Sequence, residues 1–507
     1  MSFELSFENL TNNLTALTAE QALSVESDIQ KHLQINGRLP SALSIREQAA
    51  RALASPQVAI ADLERVILAD PLLALRLLAL VNSSYYRRGG SIYSIRGALM
   101  HLGVKRLLGI LSEISEAKNY GSVFRGRAVS AAVFEETLLA RALAAKLAGF
   151  MAPPAGLAQT ACLVSSLVGL MMVAWAFAKP NIYGAFVLDS LAGSRKSLDA
   201  CLERFFNKSR YGMALSLAQA LALPEELIEV VTMCLAGPWR KIGTSSRESK
   251  DVILTATAVH YGWRLACALY GFDSFQAVDE LIQETAAKCS LGRFALKEAL
   301  VETVPDYRGQ ARVLGLSCPD IPPYLKAALQ KSKDPGKLAW LADGGPPLVK
   351  RMDPYLQELK VCFAAKRTAR EFYRLPQAAL CTLQALLKGL GFARAVLFRF
   401  DARRGCLVPI IILGEKPELV GLRAVSGSGA ARMPDIQAFC QKRAVFQGEP
   451  LIQGGWPFVA FPVVWQGRSC GVFYADKVGG QVPLETQEQV ACTALAEAWC
   501  DVPADFA

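Results

Sequence analysis

The sequence contains very little histidine. Only three occur in 507 residues, at positions 32, 101 and 260, and they are far apart. A metallohydrolase site that needs a cluster of imidazoles is therefore nearly excluded. The thirteen cysteines include no CxxC pair, because no two stand closer than Cys492 and Cys500. We expect reduced, mostly buried thiols rather than a disulfide framework or a zinc site.

A secretory signal is also missing, since Glu4 and Glu8 stand where such a signal needs basic residues. This predicts a cytoplasmic protein. One stretch suggests an alternative: residues 147–178 contain no charge, and residues 161–178 are just long enough for a thin membrane span. Pro153 and Pro154 precede that segment and no second span lies near it. We interpret it as the central helix of a large helical domain and expect no membrane contact.

What the chain does have is apolar content, at 52% against 20% charged residues, which indicates well-packed globular domains. The net charge of +10 is unevenly distributed. Residues 325–369 hold nine Lys or Arg against four acids, which is half of the net charge. We interpret this segment as a solvated connector. Nucleic-acid binding through it is an alternative, but no nucleic-acid partner is expected, because a domain that binds DNA is usually more basic on a folded face.

The first 300 residues carry helical patterns with recognisable ends. Asp70 can cap a helix whose first residue is Pro71, and the apolar run to Val81 predicts a helix inside a bundle. Asn82 is expected to end it in a left-handed turn. Further helices are predicted at about residues 41–54, 96–117, 129–149, 161–177, 211–222, 225–235 and 251–270.

The sequence pattern changes twice after residue 300. Proline and glycine punctuate residues 303–360, which indicates a domain boundary that short helices interrupt. From about residue 366 a helix over 367–390 precedes two hairpins, at 394–413 and at 458–475, and an amphipathic helix over 484–499 closes the chain. This order is typical of a small α/β sensor domain.

Residues 39–116 resemble the HDOD family. The resemblance rests on Leu39-Pro40, on the stretches 70–78 and 82–86, on Ser91-Ile-Tyr-Ser-Ile-Arg-Gly-Ala98 and on Leu102-Gly-Val-Lys-Arg-Leu107. It continues more weakly to about residue 270. The motif residues are Asp70, Pro71, Arg76, Asn82, Ser83, Tyr86 and Gly103.

HDOD domains are relatives of metal-dependent HD phosphohydrolases that lack the catalytic ligands, and the resemblance implies an all-helical fold. The positions that correspond to the metal ligands read Glu136, Ser165, Ser166, Met233 and Cys234. Hydroxyls are poor ligands for divalent metals, and one carboxylate cannot hold a hydrolytic di-metal site. We therefore expect no metal and no catalytic residue.

Residues from about 370 to 500 resemble a GAF domain, a sensor fold that binds small molecules. The resemblance rests on a strand over 394–400, a helix over 435–449 and the hairpin over 458–476. The cyclic-nucleotide signature of GAF domains and the Cys-His pair that attaches a bilin are absent. The candidate pocket residues are Phe398, Phe461, Tyr474 and Asp476. We expect no cofactor, although the pocket could take a small-molecule ligand.

One further cluster combines aromatic and cationic side chains on a turn between helices: Tyr85, Tyr86, Arg87 and Arg88. It is a candidate surface for a protein partner or an anionic ligand, and packing with solvation is the alternative.

The sequence thus predicts a multidomain protein of α plus α/β class. A helical extension (1–34) precedes an HDOD domain (35–302), a Pro-rich basic connector (303–366) and a GAF-like domain with an antiparallel sheet (367–507). We expect a non-catalytic signal-transduction protein that acts by contact with protein partners and that dimerises through helices flanking the GAF sheet. The alternative is a degenerate HD-type phosphodiesterase acting on cyclic di-GMP or another nucleotide.

Overall fold

The computed structural model describes residues 19–33, 47–48, 60–86, 90–113, 123–151, 156–191, 198–237, 247–270, 275–316, 321–342, 347–364, 375–414, 420–425, 432–465, 467–478, 480 and 482–500. Within these ranges the chain is mostly helical, and its C-terminal part contains a five-stranded antiparallel sheet.

The N-terminal two thirds form an array of helices. In chain order they are α1 (Ala19–Leu33), α2 (Ile60–Ala69), α3 (Pro71–Val81), α4 (Ile95–Glu113), α5 (Ala128–Met151), α6 (Gly156–Ala178), α7 (Pro180–Leu191), α8 (Leu198–Phe206), α9 (Arg210–Ala220), α10 (Glu225–Ala236), α11 (Arg247–Tyr270), α12 (Phe275–Lys288) and α13 (Arg293–Val313). The structure confirms the helix predicted from Pro71 to Val81 and six of the seven further predicted helices, to within about five residues. The one predicted at 41–54 lies almost wholly outside the described residues.

Helix α6 is the centre of the array and contains most of the charge-free stretch. Its residues from Leu163 to Ala176 are all buried, and it packs on α5 along most of its length. By length and composition alone, α6 and residues Lys250–Tyr270 of α11 could cross a membrane, but 83% and 61% of their apolar windows are buried inside the protein. Burial of α6 on all sides agrees with the core helix that the sequence predicts.

Close helix contacts depend on small residues at two points. A Cβ on Gly169 of α6 would collide with the side chain of Thr137 on α5. A Cβ on Gly262 of α11 would lie 2.8 Å from the backbone nitrogen of Ala144 on α5. Glycine at these positions lets α6 and α11 approach α5 from two directions.

The end of α3 differs from the prediction. Asn82 has a right-handed backbone (φ −92°, ψ −3°) rather than a left-handed one. Its side chain takes part instead: Nδ2 donates to the carbonyl oxygens of Leu78 and Ile92, both at 2.8 Å, and Oδ1 accepts from the Ile92 amide at 2.9 Å. The amide group thus ends the helix and ties the following loop to it, so a left-handed turn is not needed.

The proline-rich segment is more ordered than a solvated connector would be. Helix α13 runs through Pro305 and across the boundary drawn at residue 302. Three further helices follow, α14 (Pro323–Gln330), α15 (Pro335–Ala342) and α16 (Leu348–Ala364). Helix α16 buries Met352, Glu358, Leu359 and Cys362. Its Lys350 and Lys360 are exposed, whereas Arg351 is half-buried.

The C-terminal part begins with α17 (Leu375–Gln384), which continues as one π-helical turn over Ala385–Gly389. The strands are β1 (Arg394–Asp401), β2 (Cys406–Gly414), β3 (Arg423–Ala424), β4 (Gly455–Trp465) and β5 (Arg468–Val478), in the order β3-β2-β1-β5-β4. Helices α18 (Pro434–Gln441) and α19 (Thr486–Cys500) complete it.

Both predicted hairpins and the closing helix are confirmed. The helix predicted over 435–449 is much shorter, because α18 ends at Lys442, whose φ of 54° is left-handed. The chain then becomes extended and Val445 pairs with Ala460 of β4. The two faces of the sheet bury separate sets of side chains: β1 directs Leu397 to the side of α17 and α19, and Phe398 to the side of α18.

Candidate functional site

Glu136, which the sequence predicts to stand at the first former metal-ligand position, lies in a polar cluster of the helical array. Glu136, on α5, accepts a hydrogen bond from the Cys267 thiol of α11 at 3.0 Å. Burial, and then the Glu136 carboxylate, raise the pKa of that thiol well above its ordinary value. The carboxylate thus has a protein partner on a neighbouring helix.

An arginine completes this cluster. Arg210 at the start of α9 is 3.0 Å from Asp199 through Nε, and its Nη1 lies 3.7 Å from the Cys267 sulfur. Tyr183 lies near Glu136, Cys267 and Arg210. Burial, and then the charge of Glu136, raise the pKa of the Tyr183 hydroxyl. Sequence reasoning missed Arg210, Asp199 and Cys267, which lie on three separate helices. The cysteine inside the apolar pattern of α11 was the one available signal.

The other former ligand positions carry groups that do not suit a metal. Ser165 and Ser166 lie in the buried middle of α6, where the Ser166 hydroxyl donates to the Cys162 carbonyl oxygen at 2.7 Å. On α10, Met233 is half-buried, and Cys234 is buried with its thiol 3.6 Å from the Ala256 carbonyl oxygen. Burial also raises the pKa of the Cys234 thiol far above its ordinary value.

A di-metal hydrolytic centre does not fit these residues. Among the described residues, no group of three or more His, Cys, Asp or Glu side chains could hold a metal ion. The donors at the former ligand positions are one hydrogen-bonded carboxylate, two hydroxyls, a thioether and a thiol that burial keeps protonated. Hard divalent ions prefer carboxylate oxygens and transition-metal ions are commonly held by imidazole, so the chemistry of this donor set argues against the metal.

The motif residues around α3 have structural contacts. The Asp70 carboxylate accepts from the amides of Leu72 and Leu73 at 2.9 and 3.1 Å, and Pro71 occupies the first turn, as the sequence predicts. Arg76 is buried with Nε 3.5 Å from the Leu33 carbonyl oxygen of α1. Gly103 interrupts α4 with a φ of 70°, which glycine adopts without strain.

The loop after α3 carries the candidate partner surface. The Ser83 hydroxyl donates to the Leu80 carbonyl oxygen at 2.7 Å. Tyr85 is 80% exposed and meets the Tyr86 ring edge-on at 4.8 Å. The Arg106 guanidinium lies over the Tyr86 ring at 5.7 Å, and His101 Nε2 is 2.8 Å from the Tyr86 carbonyl oxygen. Arg87 and Arg88 lie outside the described residues. Tyr86 is thus anchored, whereas Tyr85 presents its ring to solvent.

Residues 39–234 match the HDOD domain family. The chain contains an HDOD domain. The match spans α3 with its Asp70 cap, the Asn82 loop, and the α5, α6 and α10 positions described above. It ends before the connector helices and the sheet.

Several solved structures are similar to this chain. The MmoQ response regulator of Methylococcus capsulatus str. Bath is 20% identical, with 52% of this chain and 97% of that one covered, at a TM-score of 0.37. A Campylobacter jejuni virulence factor is 17% identical over 56% and 95%, at 0.37. An HDOD domain protein of unknown function from Geobacter sulfurreducens is 17% identical over 58% and 98%, at 0.28. No curated protein matches the chain.

Beyond the HDOD domain, the candidate pocket residues of the sheet are not brought to one place. Phe398 and Tyr474 lie on the face toward α18, where the Tyr474 hydroxyl donates to Asp476 at 3.1 Å and accepts from the Leu451 amide at 3.0 Å. Asp476 is buried in a bidentate ion pair with Arg394, whose Nε and Nη2 donate to the two carboxylate oxygens at 2.7 and 2.9 Å. Phe461 is on the opposite face, stacked on Phe473.

A second buried carboxylate joins the HDOD domain to the C-terminal part. Glu358 of α16 accepts from the Val129 amide at the start of α5 at 2.9 Å and from the Gln377 side chain of α17 at 2.7 Å. Burial raises the pKa of Glu358 to about 7, although both donors and Arg127 lower it. One carboxyl group therefore contacts the HDOD domain, the connector and the C-terminal part.

The backbone of α17 lies directly against the HDOD domain. A Cβ on Gly184 of α7 would be 2.9 Å from both the backbone nitrogen and the Cα of Gln377. Because Gln377 also holds Glu358, the α7–α17 contact and the Glu358 bonds form one continuous junction. We call the contacts of Val129, Gly184, Glu358 and Gln377 the domain junction. Nothing in the sequence analysis pointed to it.

Proposed function

We propose that this chain is a non-catalytic signal-transduction protein, in which the HDOD domain contacts protein partners and the C-terminal part is a GAF-like sensor. The HDOD family match supports the first half of this proposal, and the helix, sheet and helix order of residues 375–500 supports the second. We place it in the cytoplasm, free of membrane and nucleic acid.

The observation that carries the non-catalytic part is the bond between Glu136 and Cys267. The one carboxylate left at the former ligand positions has a thiol donor at 3.0 Å, and the neighbouring positions offer hydroxyls. Water activation on a metal needs ligands with an open position. Here the Glu136 carboxylate is hydrogen-bonded to a thiol, and the other predicted ligand positions carry groups that bind metals poorly.

The domain junction supports signal transmission between the two parts. Glu358 and Gln377 are both almost completely buried, so a movement of α17 relative to α5 would leave buried polar groups without partners. Packed interfaces of this kind switch between discrete arrangements rather than deforming continuously. A ligand or partner that favours one arrangement would change the surface that the HDOD domain presents.

Metal content and hydrolysis test the non-catalytic part. Purified full-length protein is analysed for bound transition metals and incubated with cyclic di-GMP and a generic phosphodiester in the presence of Mn²⁺. We expect substoichiometric metal and no turnover above buffer. Stoichiometric metal that Glu136→Gln removes, together with turnover, would establish the degenerate phosphodiesterase instead.

Hydrogen exchange tests the coupling. Gln377→Leu removes the side-chain donor to Glu358 and leaves the HDOD sequence intact. We expect faster amide exchange in the first turns of α5, because Glu358 also holds the Val129 amide. The exposed Gln276→Leu is the matched control, since its amide bonds only within α12. Unchanged exchange in α5 would remove the support for transmission through the junction.

A further inference from the structure

A cavity of about 870 Å³ lies beside the domain junction. Its walls come from the start of α5, the end of α11, the starts of α14 and α16, the π-helical turn and the edge of the sheet. It is distinct from the Glu136–Cys267 cluster and from the α18 face of the sheet. Its volume is within the range of about 300–1,000 Å³ that is usual for small-molecule sites.

The charge of the walls is strongly positive. Five cationic residues line the cavity, against two carboxylates, Glu135 and Asp353. The cations are Arg125, Lys326, Lys350, Arg351 and Lys388. Among the residues that the structure describes, Arg125, Lys326 and Lys350 are in no ion pair, and all three are exposed at the rim. Cationic side chains around a concave site raise the local concentration of anions.

The walls also present aromatic surface. Tyr270 and Phe392 are buried in the cavity wall, and Phe275 and Tyr324, which meet edge-on at 5.5 Å, lie nearer the solvent. The Tyr324 hydroxyl is held by Asp279 at 2.7 Å, so the ring is fixed in place. Phe275, which is 41% exposed, and the half-buried Tyr324 are the rings on which a planar group could stack.

We propose that this cavity binds a nucleoside phosphate, with the phosphates near Lys326, Lys350 and Arg125 and the base among the aromatic rings. The volume, the five cations against two acids, and the aromatic side chains of the wall together favour this ligand. An apolar ligand would leave the rim cations unused, and inorganic phosphate would fill only a small part of the volume.

Lys388 connects this ligand to the junction. It lies in the π-helical turn that continues α17, with its ammonium 4.8 Å from the centre of the Tyr270 ring. Burial lowers the pKa of Lys388, while Glu135 and Glu136 act in the opposite direction. A phosphate group at the rim would be attracted to this ammonium across the cavity, at the base of α17. Single π-turns of this kind are common at functional sites.

Calorimetry on the full-length chain tests the proposal, with the common ribonucleoside triphosphates and the corresponding nucleosides as probes. We expect at least one triphosphate to bind, its nucleoside to bind at least about tenfold more weakly, and affinity to fall with added salt. Failure of all the triphosphates to bind, or equal binding of the nucleoside, would overturn the proposal.

Charge reversal at the rim locates the site. Lys326→Glu and Lys350→Glu change exposed side chains, so we expect both proteins to fold and to bind the triphosphate about tenfold or more weakly. The control is Arg403→Glu, an equally exposed cation on the β1–β2 turn, at the far end of β1 from the cavity. Rim variants that bind like the control would place the ligand elsewhere and overturn the assignment. Because none of these measurements involves hydrolysis, their outcome is independent of the non-catalytic proposal.

Discussion

The Cys267 thiol donates a hydrogen bond to the Glu136 carboxylate at 3.0 Å, across the interface of α11 and α5. Glu136 is the one carboxylate among the positions that the sequence resemblance assigns to former metal ligands. Its two members are 131 residues apart in the chain and meet only because α11 packs along α5.

Cys267 should be far less reactive than Cys440. Burial and the Glu136 charge hold the pKa of the Cys267 thiol high, and a thiol reacts as its thiolate. Cys440 on α18 is exposed. With iodoacetamide at pH 8 and peptide mass spectrometry, we expect Cys267 to be labelled at least about a hundredfold more slowly. Comparable rates in native protein would contradict the hydrogen bond between Cys267 and Glu136, and unfolding in urea should equalise the rates.

Glu358 should make stability depend on pH. Its pKa is about 7 in the folded protein, against a usual value of 4.5, so the folded state holds more protons between these pH values. Glu358 therefore lowers the free energy of unfolding progressively as the pH rises from 4.5 to 7, by up to about 3 kcal/mol in total. We expect the difference in unfolding free energy between the native protein and Glu358→Gln to move against the native protein from pH 5 to pH 8.

Comparison with the variant is necessary because His260 acts in the opposite direction. Burial and the nearby Arg264 lower its pKa to about 4, so the unfolded state takes up the proton first and stability falls as pH drops below 6.5. Both proteins contain His260, and its contribution cancels in the difference. Glu280→Gln, at an exposed glutamate of α12, is the control for a Glu-to-Gln change away from the junction. A pH-independent difference for Glu358→Gln would contradict the prediction.

Gly184→Ala should weaken the domain junction. The new methyl group would lie 2.9 Å from the Gln377 backbone, which cannot move as a side chain can. Overpacking of this kind costs about 1–3 kcal/mol. The control is Gly149→Ala on α5, where nothing lies within 4 Å of the new Cβ and helix propensity predicts a gain of up to about 1 kcal/mol. Thermal unfolding and limited proteolysis measure both, and equal effects of the two substitutions would contradict the contact.

Gly169→Ala should destabilise the core of the HDOD domain, since its Cβ would collide with the Thr137 side chain. Thr137→Ala removes the γ atoms of that side chain. We expect Gly169→Ala to cost about 2 kcal/mol or more alone and the double variant to recover part of the loss, which a double-mutant cycle in urea measures. Strict additivity of the two changes would argue against the contact between α5 and α6.

Arg394→Met should destabilise the C-terminal part strongly. The side chains of Arg394 and Asp476 are 2% and 0% exposed, so the substitution leaves a buried carboxylate without its partner. Breaking such a pair costs about 3–5 kcal/mol, whereas Arg394→Met with Asp476→Leu should recover most of it. Arg264→Met breaks a pair with Glu284 whose members are 41% and 42% exposed, and should cost less than about 1 kcal/mol. Similar losses for the two single variants would contradict the prediction.

Local signals in the sequence predicted much of the fold. The Asp70–Pro71 cap, the charge-free core helix and both hairpins depend on neighbouring residues in the chain, and the structure confirms them. The Asn82 turn and the length of α18 differ, because a side-chain amide in one case and pairing of Val445 with Ala460 in the other replaced the expected local geometry.

By itself, the sequence determined the HDOD motif and the residue types at the positions predicted to correspond to metal ligands, since residue type decides whether a group can bind a metal. Only the tertiary structure decided which groups meet. Cys267 reaches Glu136, Glu358 joins α5 to α17, and Phe461 turns to the other face of the sheet from Tyr474. These relationships depend on the packing of helices and strands far apart in the chain, and periodicity and spacing along one segment carry no information about them.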